Sequence, residues 1–358
     1  MRNVTLILSD GTKFSGQSFG YEKPVAGEVV FNTAMSGYPE NLSDPSYAGQ
    51  ILVLTYPLIG NYGVPPMNTD KYGLTEFMES DHIYISALVC SDYSEAYSHW
   101  NAKESLSAWL KREQIPAITG VDTRELAKAL REHGVMMGRI VFEDETDNVT
   151  APDYETVNFA AEASCKEVIR YNEGADKKVV VVDCGVQHNI LRSLLRRNVE
   201  VIRVPWNYDF NTLEFDGLFI ANGPGNPNVL SETVAHIREF LAGDKVRPCM
   251  GVCLGNELLA LAAGASVNKL KYGHRSHNQP VRKVGTNSCL ITTQNQGYAV
   301  DANTLPVGWE PLYENMNDGT NAGISHQSNP WFAVQFQPEP CTLPLDNDAL
   351  LDEFVNKL

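Results

Sequence analysis

Apolar positions in the second half of the chain come as short continuous runs separated by amphipathic stretches. KVVVVD (178–183), VEVIRVP (199–205), DGLFIAN (216–222) and the run from Val246 to Val252 have strand length. Of these runs, KVVVVD is a continuous apolar β-branched one, as expected of a strand covered on both faces. Between them, HNILRSLLRRN (188–198), 230–242 and 254–265 repeat their apolar residues at helical spacing, with Leu258, Leu259, Ala262 and Ala263 on one side of the last. Such alternation predicts a doubly wound α/β unit over 178–358, with its ligands at the carboxyl ends of the strands. The first half follows another rhythm. VTLIL, a turn at Ser9–Thr12 and KFSGQSFG predict a hairpin, and further strands are expected at 28–32, 51–57, 115–119 and 135–142. Helices are expected at 102–112 and 124–134, the second capped by Asp122 and Thr123 and ended by Gly134. Residues 1–145 therefore read as a β-rich domain, and the polar, acidic stretch 146–177 as a linker. Within the first half, Ser36–Gln50 (SGYPENLSDPSYAGQ) reads as a long polar loop.

Composition narrows the function classes. The chain has 358 residues, 43% hydrophobic and 20% charged, enough for two domains with sizeable cores. A net charge of −16 argues against nucleic acid or an anionic membrane as partner, and leaves protein partners open. No apolar run approaches transmembrane or signal-peptide length, and the seven cysteines show no framework spacing. A cytoplasmic, reduced protein is expected, with no structural zinc.

Candidate chemistry centres on Gly251-Val252-Cys253-Leu254-Gly255. Small residues two before and two after a central nucleophile let a strand reverse into a helix within a few residues, as in the G-x-S-x-G elbow. The central side chain is then pushed out over the end of the sheet. Here it is Cys253, whose thiolate a helix start favours. Gly223-Pro224-Gly225 falls at the end of the neighbouring strand, where glycines allow backbone amides to approach an oxyanion. A buried cysteine and a plain turn are the bland readings of the same residues.

More specific is the ordered set GYPENLSDPSYAGQ, GVDTRELAKALREHG, VVVVDCGVQHNILRSLL, ANGPGNP, GVCLGNELLALAAGA, LKYGHR and TQNQGYAVD. With it the chain resembles the small subunit of carbamoyl-phosphate synthetase along its whole length, first half included. That family's C-terminal domain is a class I glutamine amidotransferase, which implies a flavodoxin-like fold for 178–358. The resemblance implies hydrolysis of L-glutamine, with ammonia passed through a tunnel to a large synthetase subunit serving pyrimidine and arginine synthesis. ATP, bicarbonate and magnesium are expected only in that large partner, and no cofactor or metal in this chain. It implies Cys253 as nucleophile, forming a γ-glutamyl thioester. Leu254 and Gly225 would supply the oxyanion hole, and Glu339 the carboxylate that orients the base. Ser46, Gly223, Gly225, Leu254, Glu257, Asn295, Gly297 and Tyr298 match substrate contacts.

The chain departs from that pattern where proton transfer is done. The family's H-P-E reads Gln337-Pro338-Glu339. C-L-G-H-Q reads Cys253-Leu254-Gly255-Asn256-Glu257, N-H-P-V reads Asn278-Gln279-Pro280-Val281, and Q-N-H-G reads Gln294-Asn295-Gln296-Gly297. An amide does not titrate in water, so Gln337 can neither take the thiol proton nor protonate departing ammonia. An unassisted thiol is only about 3% ionised at pH 7. Glu257 is expected to add a negative charge near Cys253 that opposes the thiolate. His274, His277 and His326 lie in the same half as possible substitutes. The expectation is a small subunit with impaired glutaminase; the alternative is an inactive, partner-binding subunit of an ammonia-using synthetase.

Overall fold

A computed structural model describes residues 2–143, 149–339 and 347–358. The chain forms two compact units, 1–154 and 155–358.

In the first unit, β1 (Asn3–Leu8), β2 (Lys13–Ser18), β3 (Val25–Asn32), β4 (Gln50–Leu54), β5 (Ala87–Cys90), β6 (Ala117–Thr119) and β7 (Met136–Phe142) close into a barrel in the order β1-β2-β6-β5-β4-β3-β7. Closure comes from β7, which pairs antiparallel with both β1 and β3. β3 to β6 run parallel to one another, and their alternate residues enter two different apolar cores. That two-sided burial is why ILVL and ALVC are unbroken apolar runs. Among the described residues three α-helices complete the unit: α1 (Tyr38–Ser43), α2 (Leu106–Arg112) and α3 (Thr123–His133). Asp122 caps α3, its Oδ1 accepting the Arg124 and Glu125 amides at 3.1 and 2.9 Å.

Two expectations are corrected here. α2 starts at Leu106 rather than 102, because Glu104 bridges to Val64 and Ser105 then caps the helix, accepting the Ala108 amide at 3.2 Å. The stretch 36–50 is not plain loop: it folds into α1 and a single 3₁₀ turn at Pro45–Tyr47.

The second unit begins inside the expected linker. Residues 146–148 of that linker lie outside the described residues, but 155–177 are built into the domain. Asn158 caps α4 (Phe159–Ala163), and β8 (Ile169–Tyr171) pairs antiparallel with β10 (Glu200–Pro205). An ion pair at 2.7 Å from Arg170 to buried Glu200 fastens β8. The charge of this stretch is thus partly a set of internal bonds rather than a solvated tether.

Between β8 and the C-terminus come β9 (Lys178–Asp183), α5 (His188–Arg196), β11 (Gly217–Ile220), α6 (Ser231–Ala242), β12 (Cys249–Val252) and α7 (Leu254–Ala263). β13 (Val267–Lys283), β14 (Cys289–Val300), β15 (Trp309–Asn315), β16 (Asn321–His326), β17 (Trp331–Val334) and α8 (Ala349–Asn356) follow. The described residues form a ten-stranded sheet, β14-β13-β15-β16-β17-β12-β11-β9-β10-β8. Its centre, β17-β12-β11-β9-β10, is parallel, as the alternating pattern predicts. Both wings are antiparallel. β12 is shorter than the apolar run before it, since Val246 is half exposed.

Candidate active site

The centre of the sheet positions the elbow. β12 lies between β11 and β17, and at its carboxyl end Cys253 takes φ +55°, ψ −109° before α7 begins. Positive φ in a residue with a Cβ costs about 1–3 kcal/mol and is kept only where the surroundings over-determine it. Here they do. The Cys253 amide donates to the Val334 carbonyl at 2.9 Å, and the Cys253 carbonyl accepts from Asn256 at 2.9 Å and Glu257 at 3.3 Å. A Cβ on Gly255 would lie 2.0 Å from the Ile220 carbonyl oxygen, and one on Gly251 would lie 2.5 Å from that of Gly255. Only glycine lets strand, turn and helix come this close.

The glycine loop meets the elbow. A Cβ on Gly223 would touch the Leu254 side chain at 2.9 Å and the Cys184 carbonyl oxygen at 2.1 Å, so the loop is pressed between β9 and the start of α7. Gly225 has φ +91°, with Phe159 of α4 packed 3.5 Å from where its Cβ would be. The next residue, Asn226, donates to the backbone and carboxylate oxygens of Glu155, each at 3.2 Å, while Glu155 also binds Lys269 at 2.9 Å. Segment 155–159 thus clasps the loop expected to carry half of an oxyanion hole. Nothing in a linker reading foretold it; buried Phe159 directly after a capping Asn158 is the signal that could have.

β14 meets the elbow through Asn295. The Cys253 thiol, buried at 7% exposure, donates to the Asn295 carbonyl at 3.4 Å. Two residues earlier, the Thr293 carbonyl accepts the Gln337 amide at 3.0 Å. Carbonyls two apart on a strand point the same way and sit about 6.5–7 Å from each other. The structure therefore gathers Cys253, Asn295 and Gln337 around one stretch of β14, with buried Glu339 two residues beyond Gln337. Gly297 and Tyr298 continue the strand; Tyr298 is buried, with the Lys269 ammonium 5.9 Å from its ring centre. Ser46 belongs to the first unit, where Asp44 caps its turn and accepts its amide at 2.9 Å.

Glu257 corrects an expectation. Its side chain is 3% exposed, and Gln335 Nε2 donates to its Oε1 at 2.8 Å. Gln335 Oε1 in turn accepts from Asn256 Nδ2 at 2.6 Å. Burial pushes the Glu257 carboxyl up to about 8, against the smaller opposing effect of the Gln335 bond. Burial therefore favours the neutral acid over the carboxylate at pH 7. The anion expected to oppose a Cys253 thiolate is mostly absent, and Glu257 is engaged by Gln335 within the protein. Gln335 was legible only as a polar residue in the apolar run FAVQF, which calls for a buried partner.

The histidines weighed as substitutes have other engagements. His274 Nδ1 lies 3.1 Å from Gln294 Oε1, and its Nε2 2.8 Å from Asp318 Oδ2. His326 packs between Trp309 and Trp331, ring centres 5.2 and 5.1 Å away, and its Nδ1 accepts the Asn329 amide at 2.9 Å. His277, on β13, has its pKa lowered by burial. Among the described residues, Asp209, His236 and Glu239 converge to within 4.8 Å, the one such group of potential metal ligands. It lies at α6 and the turn before β11, and shares no residue with the elbow.

Residues 180–357 match the class-I glutamine amidotransferase family, which is the class that the parallel sheet and its cysteine elbow define. Residues 6–140 match the carbamoyl-phosphate synthase small chain, CPSase domain. The chain is 46% identical to the arginine-specific small chain of carbamoyl phosphate synthase from Neosartorya fischeri, covering 99% of this chain and 80% of that one. It is 47% identical to the mitochondrial carbamoyl-phosphate synthase [ammonia] of Homo sapiens over 98% of its length, and 46% identical to the multifunctional protein CAD of Squalus acanthias. The chain spans 23% and 16% of those two much longer relatives. It belongs to the carbamoyl-phosphate synthase small-chain family.

Proposed function

We propose that this chain is the glutamine-handling subunit of a carbamoyl-phosphate synthetase whose own glutaminase is impaired at position 337. The full reaction would have the Cys253 sulfur attack the side-chain carbonyl carbon of glutamine. The C–S bond forms and the carbonyl electrons move to oxygen, where the Leu254 and Gly225 amides would be worth about 3–4 kcal/mol per donor. Collapse breaks the C–N bond, and the nitrogen needs a proton to leave as ammonia. Water then cleaves the γ-glutamyl thioester. Two proton transfers therefore need a titrating group within reach of the sulfur.

One observation carries the reading. Cys253 and Gln337 are anchored to the Asn295 and Thr293 carbonyls, neighbours on the same side of β14. A carboxamide side chain at that place can hold a hydrogen bond but does not titrate in water, so it cannot act as general acid or base. Loss of general acid–base help costs about 10²–10⁴ in rate, and more where a triad acts as a unit. ATP, bicarbonate and magnesium would be handled by the large subunit.

A second reading, an inactive subunit that binds a synthetase running on free ammonia, draws support from the relatives named carbamoyl-phosphate synthase [ammonia]. Glutamate release from glutamine, measured with and without the large subunit, tests both beside Gln337→His. A rise of about 10²-fold or more in the variant is expected. Equal rates in wild type and variant, both well above a Cys253→Ser control, would refute impairment. Equal rates at the level of that control would favour the inactive subunit.

A further inference from the structure

The strand that receives the Cys253 thiol also carries an opening that the proton chemistry leaves unused. Along β14, Thr292, Gln294 and Gln296 are buried, while Thr293, Asn295 and Gly297 are half-buried. Side chains alternate between the two faces of a strand, so 293, 295 and 297 lie on the accessible one. Cys253 meets this stretch at the Asn295 carbonyl, 3.4 Å from its sulfur.

Arg275 reaches the same face from β13. It is the register partner of Asn295, and residues directly opposed in an antiparallel pair put their side chains on one side. Arg275 is nevertheless only 5% exposed. Its Nη1 donates to the Tyr272 carbonyl at 2.8 Å, which holds the guanidinium in place. Two glycines make room for it. A Cβ on Gly273 would lie 2.5 Å from Nη1 and 2.2 Å from the Gln296 carbonyl oxygen, so the protein itself requires that glycine. Gly297 differs. Its φ lies outside the left-handed region. Apart from its chain neighbours, only Arg275 Nη2, at 3.4 Å, comes within 4 Å of where its Cβ would be, among the described residues. That is an ordinary contact distance, so neither backbone shape nor crowding calls for glycine there. The missing side chain leaves an open approach to one edge of a guanidinium, and glycine serves this way where a backbone lies close to a ligand.

We propose that Arg275 is a specificity-determining residue, its guanidinium receiving the α-carboxylate of the glutamine whose side-chain carbonyl meets Cys253. This rests on the glutamine reading above. Length fits: Asn295 and Gly297, two residues apart on a strand, are about 6.5–7 Å from each other. In extended glutamine the amide carbon lies four C–C bonds, about 5 Å, from the carboxylate carbon. A molecule with its amide at the sulfur therefore brings its carboxylate beside Gly297. Chemistry fits as well. A guanidinium is charged at every working pH and offers a planar fork that matches a carboxylate with two parallel hydrogen bonds.

The test measures equilibrium binding to the full chain in a Cys253→Ser background, where no thioester can form. L-Glutamine is compared with its α-carboxamide analogue, which keeps the side-chain amide and lacks the carboxylate. The parent should prefer glutamine by at least about 10-fold, the scale of a charge-assisted pair. Arg275→Gln should weaken glutamine at least about 10-fold and leave the analogue within about 2-fold, so the preference disappears; Arg275→Lys should keep part of it. Gly297→Ala, which the structure accommodates without a clash, should melt like the parent and lose the same preference, and it decides the matter if Arg275→Gln does not fold. A loss shared equally by both ligands would make Arg275 a brace between β13 and β14 and overturn the proposal. So would an unchanged preference in the variants; either result leaves the glutamine reading standing. A parent that binds neither ligand refutes the glutamine reading and this seat together. Glutamate release by wild type and Gln337→His decides position 337 separately.

Discussion

Replacing Glu257 by glutamine should flatten the pH dependence of the second unit's stability. The carboxyl has a pKa of about 8 in the folded chain against a reference of 4.5, because burial disfavours its charged form. A group whose pKa rises on folding binds more protons in the native state. Its contribution is therefore fully present below about pH 4.5, falls as pH climbs toward about 8, and is gone above that. The slope within the window is about 1.4 kcal/mol per pH unit, so this one residue removes about 2–3 kcal/mol between about pH 6 and pH 8. Glutamine keeps an acceptor for Gln335 Nε2, which donates at 2.8 Å, and carries no charge to bury. Urea unfolding of both proteins, followed by the emission of Trp206, Trp309 and Trp331, measures the difference at each pH. Other titrating groups cancel in that difference. Near pH 6 the variant should be close to wild type, and near pH 8 more stable by about 2 kcal/mol. A difference constant with pH to within about 0.5 kcal/mol would show that the carboxyl is ionised and solvated, and that the account of its burial is wrong.

Two further outcomes follow from the geometry. Phe159→Ala removes a ring that is 4% exposed and packs against Gly225. It should cost about 3–5 kcal/mol and raise hydrogen exchange in 223–226 well above that of β9; unchanged exchange there would show that α4 does not hold the loop. Asp183→Asn leaves the Arg203 guanidinium without the carboxylate it meets at 2.7 Å, at a site where Asp183 is fully buried and also accepts the Cys165, Gly185 and Val186 amides. A loss of about 3–5 kcal/mol by urea unfolding is expected, and a loss under about 1 kcal/mol would count against the pair.

What could be read from the chain tracks how local the cause of each element is. KVVVVD and DGLFIAN announce a parallel centre because burial on both faces leaves unbroken apolar runs, and in VEVIRVP the two polar residues, Glu200 and Arg203, are ion-paired. The α3 cap at Asp122 is visible in three residues. The antiparallel wing was not visible: VNKLKYGHRSHNQPVRK carries almost no apolar alternation, and it forms β13 because β14 and β15 pair along it, with two register shifts on the β14 side. Barrel closure by β7 likewise depends on partners more than a hundred residues away. At the site, the elbow and the glycine loop were legible because glycine spacing encodes a backbone shape. The clasp at Glu155 and Phe159, and the Asn256–Gln335–Glu257 chain, were not, since each joins residues remote in sequence. The charge expected at Glu257 failed for the same reason: ionisation depends on burial, which sequence spacing does not report.

On the proposed reading of position 337, its contrast with position 253 bears on how such a site would lose its chemistry and keep its form. The Cys253 turn is fixed by close backbone approach: Gly255 lies against the Ile220 carbonyl, Gly251 against Gly255, and the Cys253 amide on Val334. Any change in that frame disturbs β12, α7 and the core between them, at a cost in folding whatever the enzyme does. Gln337, by comparison, is held to β14 through its own backbone amide, a bond indifferent to the side chain. Imidazole and carboxamide have similar size and hydrogen-bonding reach, so an exchange there would cost the fold little and, under the proposal that 337 is the position of the base, proton transfer a great deal. An intact elbow is accordingly weak testimony to activity, because packing alone preserves it. Under the same proposal the identity of residue 337 says more, because only proton transfer would require a titrating ring at that position.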